Sequence, residues 1–187
     1  MELVTPISEE DVRRLKVGDV IYVTGTLFLA RDEAHKKMLE EGAPIPTEGG
    51  VLYHCGPVVM KEGDEWKVVS AGPTTSARME MFEYDFIKRF GVRIIIGKGG
   101  MGDRTQKALA EFGAIYAAYT GGAGALAARA IKRVREVHWL DELGIPEAVW
   151  VFEVERFGPL VVAMDSHGGN VYRVVNERVK KVLEEGL

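Results

Sequence analysis

A chain of 187 residues is long enough for one well-buried core and short for two, so a single domain over residues 1–187 is expected. Its 24 Lys and Arg against 28 Asp and Glu leave a net charge of −4, which excludes bulk attraction to nucleic acid or an anionic membrane and makes any anion site local. The lone Cys55 excludes an intramolecular disulfide, and one thiol cannot build a zinc knuckle or an iron–sulfur cluster. With no apolar run long enough to cross a bilayer, and a polar, acidic beginning in place of a signal peptide, a cytoplasmic location is expected.

The first predicted element is a short helix with Ser8 as N-cap, Glu9, Glu10 and Asp11 in its first turn, and Val12 and Leu15 turned inward. Strand character follows from Val20 to Val23 and continues through Leu27-Phe28-Leu29. Helical spacing begins at Asp32, the expected cap. After the glycine- and proline-rich passage 42–50, the residues from Val51 to about His54 read as a strand. Val58–Met60 and Lys67–Val69 flank Glu62-Gly63-Asp64 as a hairpin.

From Ser70 onward, glycine-rich turn, helix and apolar strand alternate. Helices are predicted near Thr75–Phe90, Asp103–Phe112 and Ala123–Glu136, and strands over Val92–Ile96, Ala114–Tyr119, Ala148–Val154 and Leu160–Met164. Phe157-Gly158-Pro159 is read as a turn, and a closing helix is expected after Asn176. This is the rhythm of an α/β fold with mixed sheets covered by helices.

Three glycine loops invite chemistry. Gly72-Pro73-Thr74-Thr75-Ser76-Ala77-Arg78 sets hydroxyls and a guanidinium at an apparent helix start, with Thr74 as the expected N-cap; helix-start amides and dipole favour a carboxylate or phosphate there, and Arg78 can close over it as a fork. The competing reading is a capped core helix with an exposed arginine. Ile96-Gly97-Lys98-Gly99-Gly100-Met101-Gly102 follows a buried strand and offers Lys98 to an anion, but it is no nucleotide phosphate loop, because Gly99 stands where a hydroxyl would hold magnesium. Thr120-Gly121-Gly122-Ala123-Gly124 fits a dinucleotide fingerprint only loosely, and glycines that permit close helix–strand packing are the better account.

Arg31 lies just outside its helix, where it can meet an anion. Asp32–Lys36 and Glu33–Lys37 have the spacing of surface ion pairs, and His35 is expected on the helix surface. Asp165-Ser166-His167 cannot form a nucleophile–base line from consecutive residues and reads as a turn.

Taken in order, Thr24-Gly25-Thr26 with Ala30-Arg31-Asp32-Glu33-Ala34-His35-Lys36, then Gly72–Met79, then Ile96–Met101, resemble the β subunit of class I fumarate hydratases and the related L-tartrate dehydratase β subunit. The resemblance implies a swivelling β/β/α fold, found also as the C-terminal half of longer single-chain enzymes. It implies reversible hydration of fumarate to malate within a hetero-oligomer, with tartrate dehydration or a non-catalytic dicarboxylate-binding module as alternatives. A 4Fe-4S cluster would be held by cysteines of a partner α subunit, and one of its irons would act as Lewis acid on the substrate hydroxyl. Arg31, Arg78 and Lys98 match the family's substrate-binding cations, with Thr75 beside them. Thr74 matches the hydroxyl near the carbon that exchanges a proton, and a neutral threonine needs an acid/base group to activate it. The family's catalytic histidine and aspartate are implied on the partner, so neither role is carried to His35 or Asp32.

Overall fold

The structure is a computed structural model that describes residues 1–186; Leu187, the end of the expected domain, lies outside the described residues. In chain order the elements are β1 (Glu2–Val4), α1 (Glu9–Arg13), β2 (Val20–Leu29), α2 (Asp32–Glu41), β3 (Val51–Tyr53), β4 (Val58–Glu62), β5 (Glu65–Ser70), a 3₁₀ turn (Ser76–Met79), α3 (Glu80–Phe90), β6 (Ile94–Gly97), α4 (Asp103–Phe112), β7 (Ile115–Ala118), α5 (Gly124–Arg129), β8 (Ile131–His138), α6 (Leu140–Leu143), β9 (Val149–Met164) and α7 (Val171–Glu185). It is a mixed α/β architecture, and no helix among the described residues is long and apolar enough to cross a membrane.

The strands β1, β2, β3, β6 and β7 run parallel in that spatial order. The long β9 pairs antiparallel with both β7 and β2, so β2-β3-β6-β7-β9 closes into a ring of pairings, and β8 adds to β9. Closure explains why the central strands read as unbroken apolar runs: both of their faces are covered. Leu27, Leu29, Tyr53, Ile94, Ile96 and Ala117 join one core, while the alternate residues Phe28, Leu52, Ile95 and Tyr116 join a second core with the helix residues Met38, Phe86 and Leu109. The period of two along each strand is thus kept, with each face assigned to a different apolar partner.

Ser8 caps α1 as expected, its Oγ accepting from the Asp11 amide at 3.1 Å. The expected hairpin forms from β4 and β5. Four expectations need correction. The predicted helix Ala123–Glu136 stops at Arg129, because Ile131–His138 is strand β8; two register shifts in its pairing with β9 space Ile131, Val134 and Val137 three apart, which imitates a helical stripe. The two strands expected around Phe157-Gly158-Pro159 are one, β9, bent there with Arg156 and Gly158 at positive φ. The closing helix starts at Val171 instead of after Asn176, since Asn170 accepts from the amides of Tyr172 and Arg173. Thr74 is not a helix cap: the helix start is the 3₁₀ turn from Ser76, with Thr75 at the cap position making no side-chain bond to it.

The third glycine loop is a packing device. The Ala71 amide donates to the Gly124 carbonyl at 3.0 Å, and a Cβ on Gly124 would overlap the Ser70 hydroxyl and meet the Gly72 amide at 3.0 Å. A Cβ on Gly72 would meet nothing closer than 3.5 Å. Gly124→Ala is therefore expected to lower unfolding free energy by ~1–3 kcal/mol, and Gly72→Ala to change it by less than ~0.5 kcal/mol. Denaturant unfolding of the two variants checks this, and equal effects would contradict it.

Candidate functional site

Four chain segments meet beyond the carboxyl ends of the parallel strands, where open α/β sheets bind ligands. Arg31 follows β2, His54 follows β3 and Lys98 follows β6. The 74–76 segment is stitched to two of them: the Thr74 amide donates to the His54 carbonyl at 2.8 Å and the Ser76 amide donates to the Lys98 carbonyl at 3.0 Å. Thr75 and Lys98 form an isolated parallel bridge, as if one residue of strand had been added beside β6. Gly97 permits that approach, because a Cβ there would collide with the Ser76 hydroxyl. Gly121, in the third loop, lies beside the Lys98 side chain.

Of the residues singled out from the sequence, Thr74 and Arg78 meet through their side chains, Thr75 and Lys98 through the backbone bridge, and Arg31 lies next to the Asp32 that Arg78 holds. Arg78 forks onto Asp32, Nε to Oδ1 at 3.1 Å and Nη2 to Oδ2 at 2.8 Å, and the same Nη2 donates to Thr74 Oγ1 at 3.2 Å. Arg31 Nε lies 3.2 Å from Glu147 Oε1, while Glu147 Oε2 accepts from the Glu33 amide and so caps α2 from across the fold. Gly56 makes room for the Arg31 side chain, since a Cβ there would sit 2.8 Å from its guanidinium. Lys98 alone of the three cations has no ion-pair partner among the described residues.

Electrostatics follow from these pairs. Burial works to raise the Asp32 carboxyl, but its hydrogen bonds with Arg78 and the backbone, together with the charges of Arg78 and Arg31, outweigh burial and leave it below its ordinary value. The Arg78 guanidinium is held above its own by Asp32. The arrangement therefore differs from bare cations awaiting an anion. Two of the amides that the sequence offers to an anion are also already used, by His54 and Lys98 carbonyls, so side chains and not the helix start supply the donors. Asp32 binds Arg78 instead of capping α2 or pairing with Lys36, and Lys37 pairs with Glu41 and Glu142 instead of Glu33.

Beneath these groups lies a cluster that sequence reasoning missed. His35, expected on the helix surface, is fully buried, as are His54 and Glu83. Both histidine Nε2 atoms lie 3.4 Å from Glu83 Oε2. Burial alone would raise the Glu83 carboxyl; the two imidazoles outweigh it and bring it down to about 2. Burial lowers His54 from its ordinary value against the pull of Glu83, which favours its neutral form. The three side chains have the donor set and proximity of a metal site, and Phe86 packs its ring 4.5 Å from the His35 ring centroid. The signal available in the sequence was the inward stripe of α3, Glu83, Phe86, Ile87 and Phe90, which includes the carboxylate.

Two sites elsewhere are set aside by geometry. The Asp165-Ser166-His167 segment is a turn, as expected, with Asp165 accepting from the amides of Val17, His167 and Gly169. A cleft of about 440 Å³ lined by Thr26, Phe28, Gly50 and Arg135 lies at the opposite, amino end of β3. Cys55 does not fit an iron–sulfur ligand: it is buried, it is the chain's single thiol, and burial pushes it up to about 12.

Comparison with known proteins agrees with this frame. Residues 1–175 match the family described as "Fumarase C-terminus". The chain is 48% identical over 184 residues to the "Putative L(+)-tartrate dehydratase subunit beta" of Methanocaldococcus jannaschii, covering 96% of this chain and 94% of that one. It is 46% identical over 189 residues to the "L(+)-tartrate dehydratase subunit beta" of Escherichia coli K12, covering 98% and 94%. The "Putative fumarate hydratase class I" of Geobacillus stearothermophilus is 45% identical over 176 residues, which are 94% of this chain and 34% of that longer protein. The chain belongs to the Fumarase C-terminus family.

The buried carboxylate sets an acid limit. A carboxyl lowered from 4.5 to about 2 stabilises the fold fully above pH ~4.5 and loses that contribution as pH falls toward 2. Glu83→Gln is expected to lower the Tm of the chain at pH 7 and to flatten the fall of Tm between pH 4.5 and 2, read by circular dichroism. An acid limb as steep in the variant as in the wild type would contradict the assignment.

Proposed function

We propose that this chain is the β subunit of an iron–sulfur hydro-lyase that interconverts fumarate and malate, with Arg31, Arg78 and Lys98 binding a C4 dicarboxylate and Thr74 adjoining the carbon that exchanges a proton. The observation that carries the reading is the Arg78 guanidinium on the Thr74 hydroxyl, with the Lys98 backbone bridged to the adjoining Thr75 and Arg31 next to the Asp32 that Arg78 holds, in a chain of the Fumarase C-terminus family. A dicarboxylate needs a cation at each end, and a guanidinium supplies paired donors that an ammonium cannot. Arg78 donates to Thr74 Oγ1, a bond that favours negative charge on that oxygen. The hydroxyl still needs a proton acceptor, which the proposal assigns to the partner.

This chain cannot hold the cluster itself, so the 4Fe-4S group belongs, on this reading, to an α subunit whose surface completes the half-site described here. We take the whole of residues 1–187 as one cytoplasmic, swivelling β/β/α domain in that assembly. A second reading is L-tartrate dehydration. What favours it is that the relatives named for that activity match over nearly their whole length as separate β subunits, whereas the relative named for fumarate contains this region as a third of a longer chain. The substrates differ by one hydroxyl, a difference that contacts on either subunit can set.

Anaerobic co-purification with the α subunit, followed by rates on malate and on tartrate, tests the proposal. Activity is expected only in the assembly and faster on malate; activity or a stable cluster in this chain alone would overturn the two-subunit reading, and a preference for tartrate would select the second. Within the assembly, Arg78→Lys is expected to cost ~2 kcal/mol, roughly thirtyfold in kcat/KM, because the single ammonium cannot keep both Asp32 and Thr74. Unchanged kinetics would leave Arg78 a surface ion pair.

A further inference from the structure

The buried cluster is tied to every segment of the proposed site, and its outer hydrogen bonds and the 3.4 Å approach of both Nε2 atoms to Glu83 dictate where its protons lie. His35 Nδ1 is 2.8 Å from the Arg31 carbonyl, which can only accept, so Nδ1 carries a hydrogen. Its other nitrogen faces the Glu83 carboxylate at 3.4 Å. A lone pair aimed at a buried carboxylate would be repelled, so Nε2 carries a hydrogen too, and His35 is an imidazolium. His54 differs. Its Nδ1 is 2.9 Å from Ser76 Oγ, and that oxygen already accepts from the Tyr116 hydroxyl at 3.1 Å, which in turn accepts from the Gly100 amide at 3.3 Å. The serine hydrogen is thus free to go to His54 Nδ1, leaving His54 neutral with its single hydrogen on Nε2, toward Glu83.

One positive imidazole, one neutral imidazole and one carboxylate balance without an ion. A divalent cation on the same ligands would instead leave a net positive charge, packed against Phe86 and with no exposed side chain in the cluster to admit it. Other charged groups near the cluster are Arg31 and Asp32 at the start of α2, and Asp32 is already engaged by Arg78.

We infer that His35, Glu83 and His54 are positioning residues, a buried imidazolium–carboxylate–imidazole triad that fixes Arg31, Thr74 and Lys98 relative to one another. Each arm ends on one segment. His35 holds the Arg31 carbonyl; the His54 carbonyl holds the Thr74 amide; the His54 ring holds Ser76, whose amide holds Lys98. Glu83 joins the arms from α3. None of the three touches a dicarboxylate, and their assignment to catalysis rests on the hydro-lyase reading, although the triad itself does not.

The test has two parts. In the first, nitrogen-15 NMR of the full chain at pH 7, with histidines assigned through His35→Gln and His54→Gln, is expected to show His35 protonated on both nitrogens and His54 on Nε2 alone. In Glu83→Gln, hydrogen exchange at the Thr74 and Ser76 amides is expected to quicken at least tenfold relative to Ile95 in the core. A neutral His35, a shift of both imidazoles on adding zinc chloride, or unchanged exchange at Thr74 and Ser76 would overturn the triad.

In the second part, the assembled enzyme carrying Glu83→Gln is compared with Leu109→Ala, a core variant on α4 that lowers Tm without touching the site. The triad predicts a fall of at least thirtyfold in kcat/KM for Glu83→Gln at a temperature where both variants are folded, with Leu109→Ala near wild type. Equal kinetics in the two would make Glu83 merely structural. Should the wild-type assembly lack hydro-lyase activity, the functional reading fails while the NMR and exchange results still decide the triad; should Glu83→Gln not fold, the wild-type NMR spectrum decides it.

Discussion

A carboxylate with no access to water must be neutralised where it stands, and Glu83 is such a group. The two imidazoles that face it come from α2 and from the residue after β3, so three elements are obliged to meet at one atom. Buried polar clusters of this kind contribute less to net stability than apolar packing of equal volume, but removing one member leaves the others uncompensated, which makes the geometry hard to alter piecemeal. The cores on the two faces of the strand ring supply the stability. The Glu83 cluster supplies the register at the end of the sheet where the cations gather.

Those cations are already half spent. Arg31 and Arg78 face Glu147 and Asp32, leaving Lys98 as the unpaired positive charge. Three cations against two carboxylates leave this face with a net charge of one positive unit, short of the two that the dianionic substrate of the proposed reading requires. A partner surface that brought further positive charge or displaced Asp32 from Arg78 would complete the balance, and such a requirement accords with a site formed only on assembly. On the proposed reading the Asp32 pair also has a use, since a carboxylate held on the Arg78 guanidinium keeps its fork oriented at little entropic cost on substrate arrival.

Much of this was legible in the residues. The glycine loops marked the strand ends, Ser8 and the hairpin turn declared themselves by local chemistry, and of the residues in the ordered motifs Thr74 meets Arg78 while Thr75 is bridged to Lys98. What escaped was tertiary. A strand with two bulges repeats its apolar residues every third position, so β8 passed for helix. His35 carries no local mark of burial, because its partners Glu83 and His54 are supplied by α3 and the end of β3. Thr74 looked like a cap because the local pattern fits one; the chain instead spends its amide on His54, a bond that no local window contains.

The most direct measurement is a structure of the assembled complex with malate bound. The account predicts one malate carboxylate on the guanidinium of Arg31 or Arg78, the other within reach of Lys98, and the Thr74 hydroxyl facing the methylene carbon between them. Malate held wholly by the partner subunit, with Arg78 still closed on Asp32 and Lys98 turned to solvent, would contradict it.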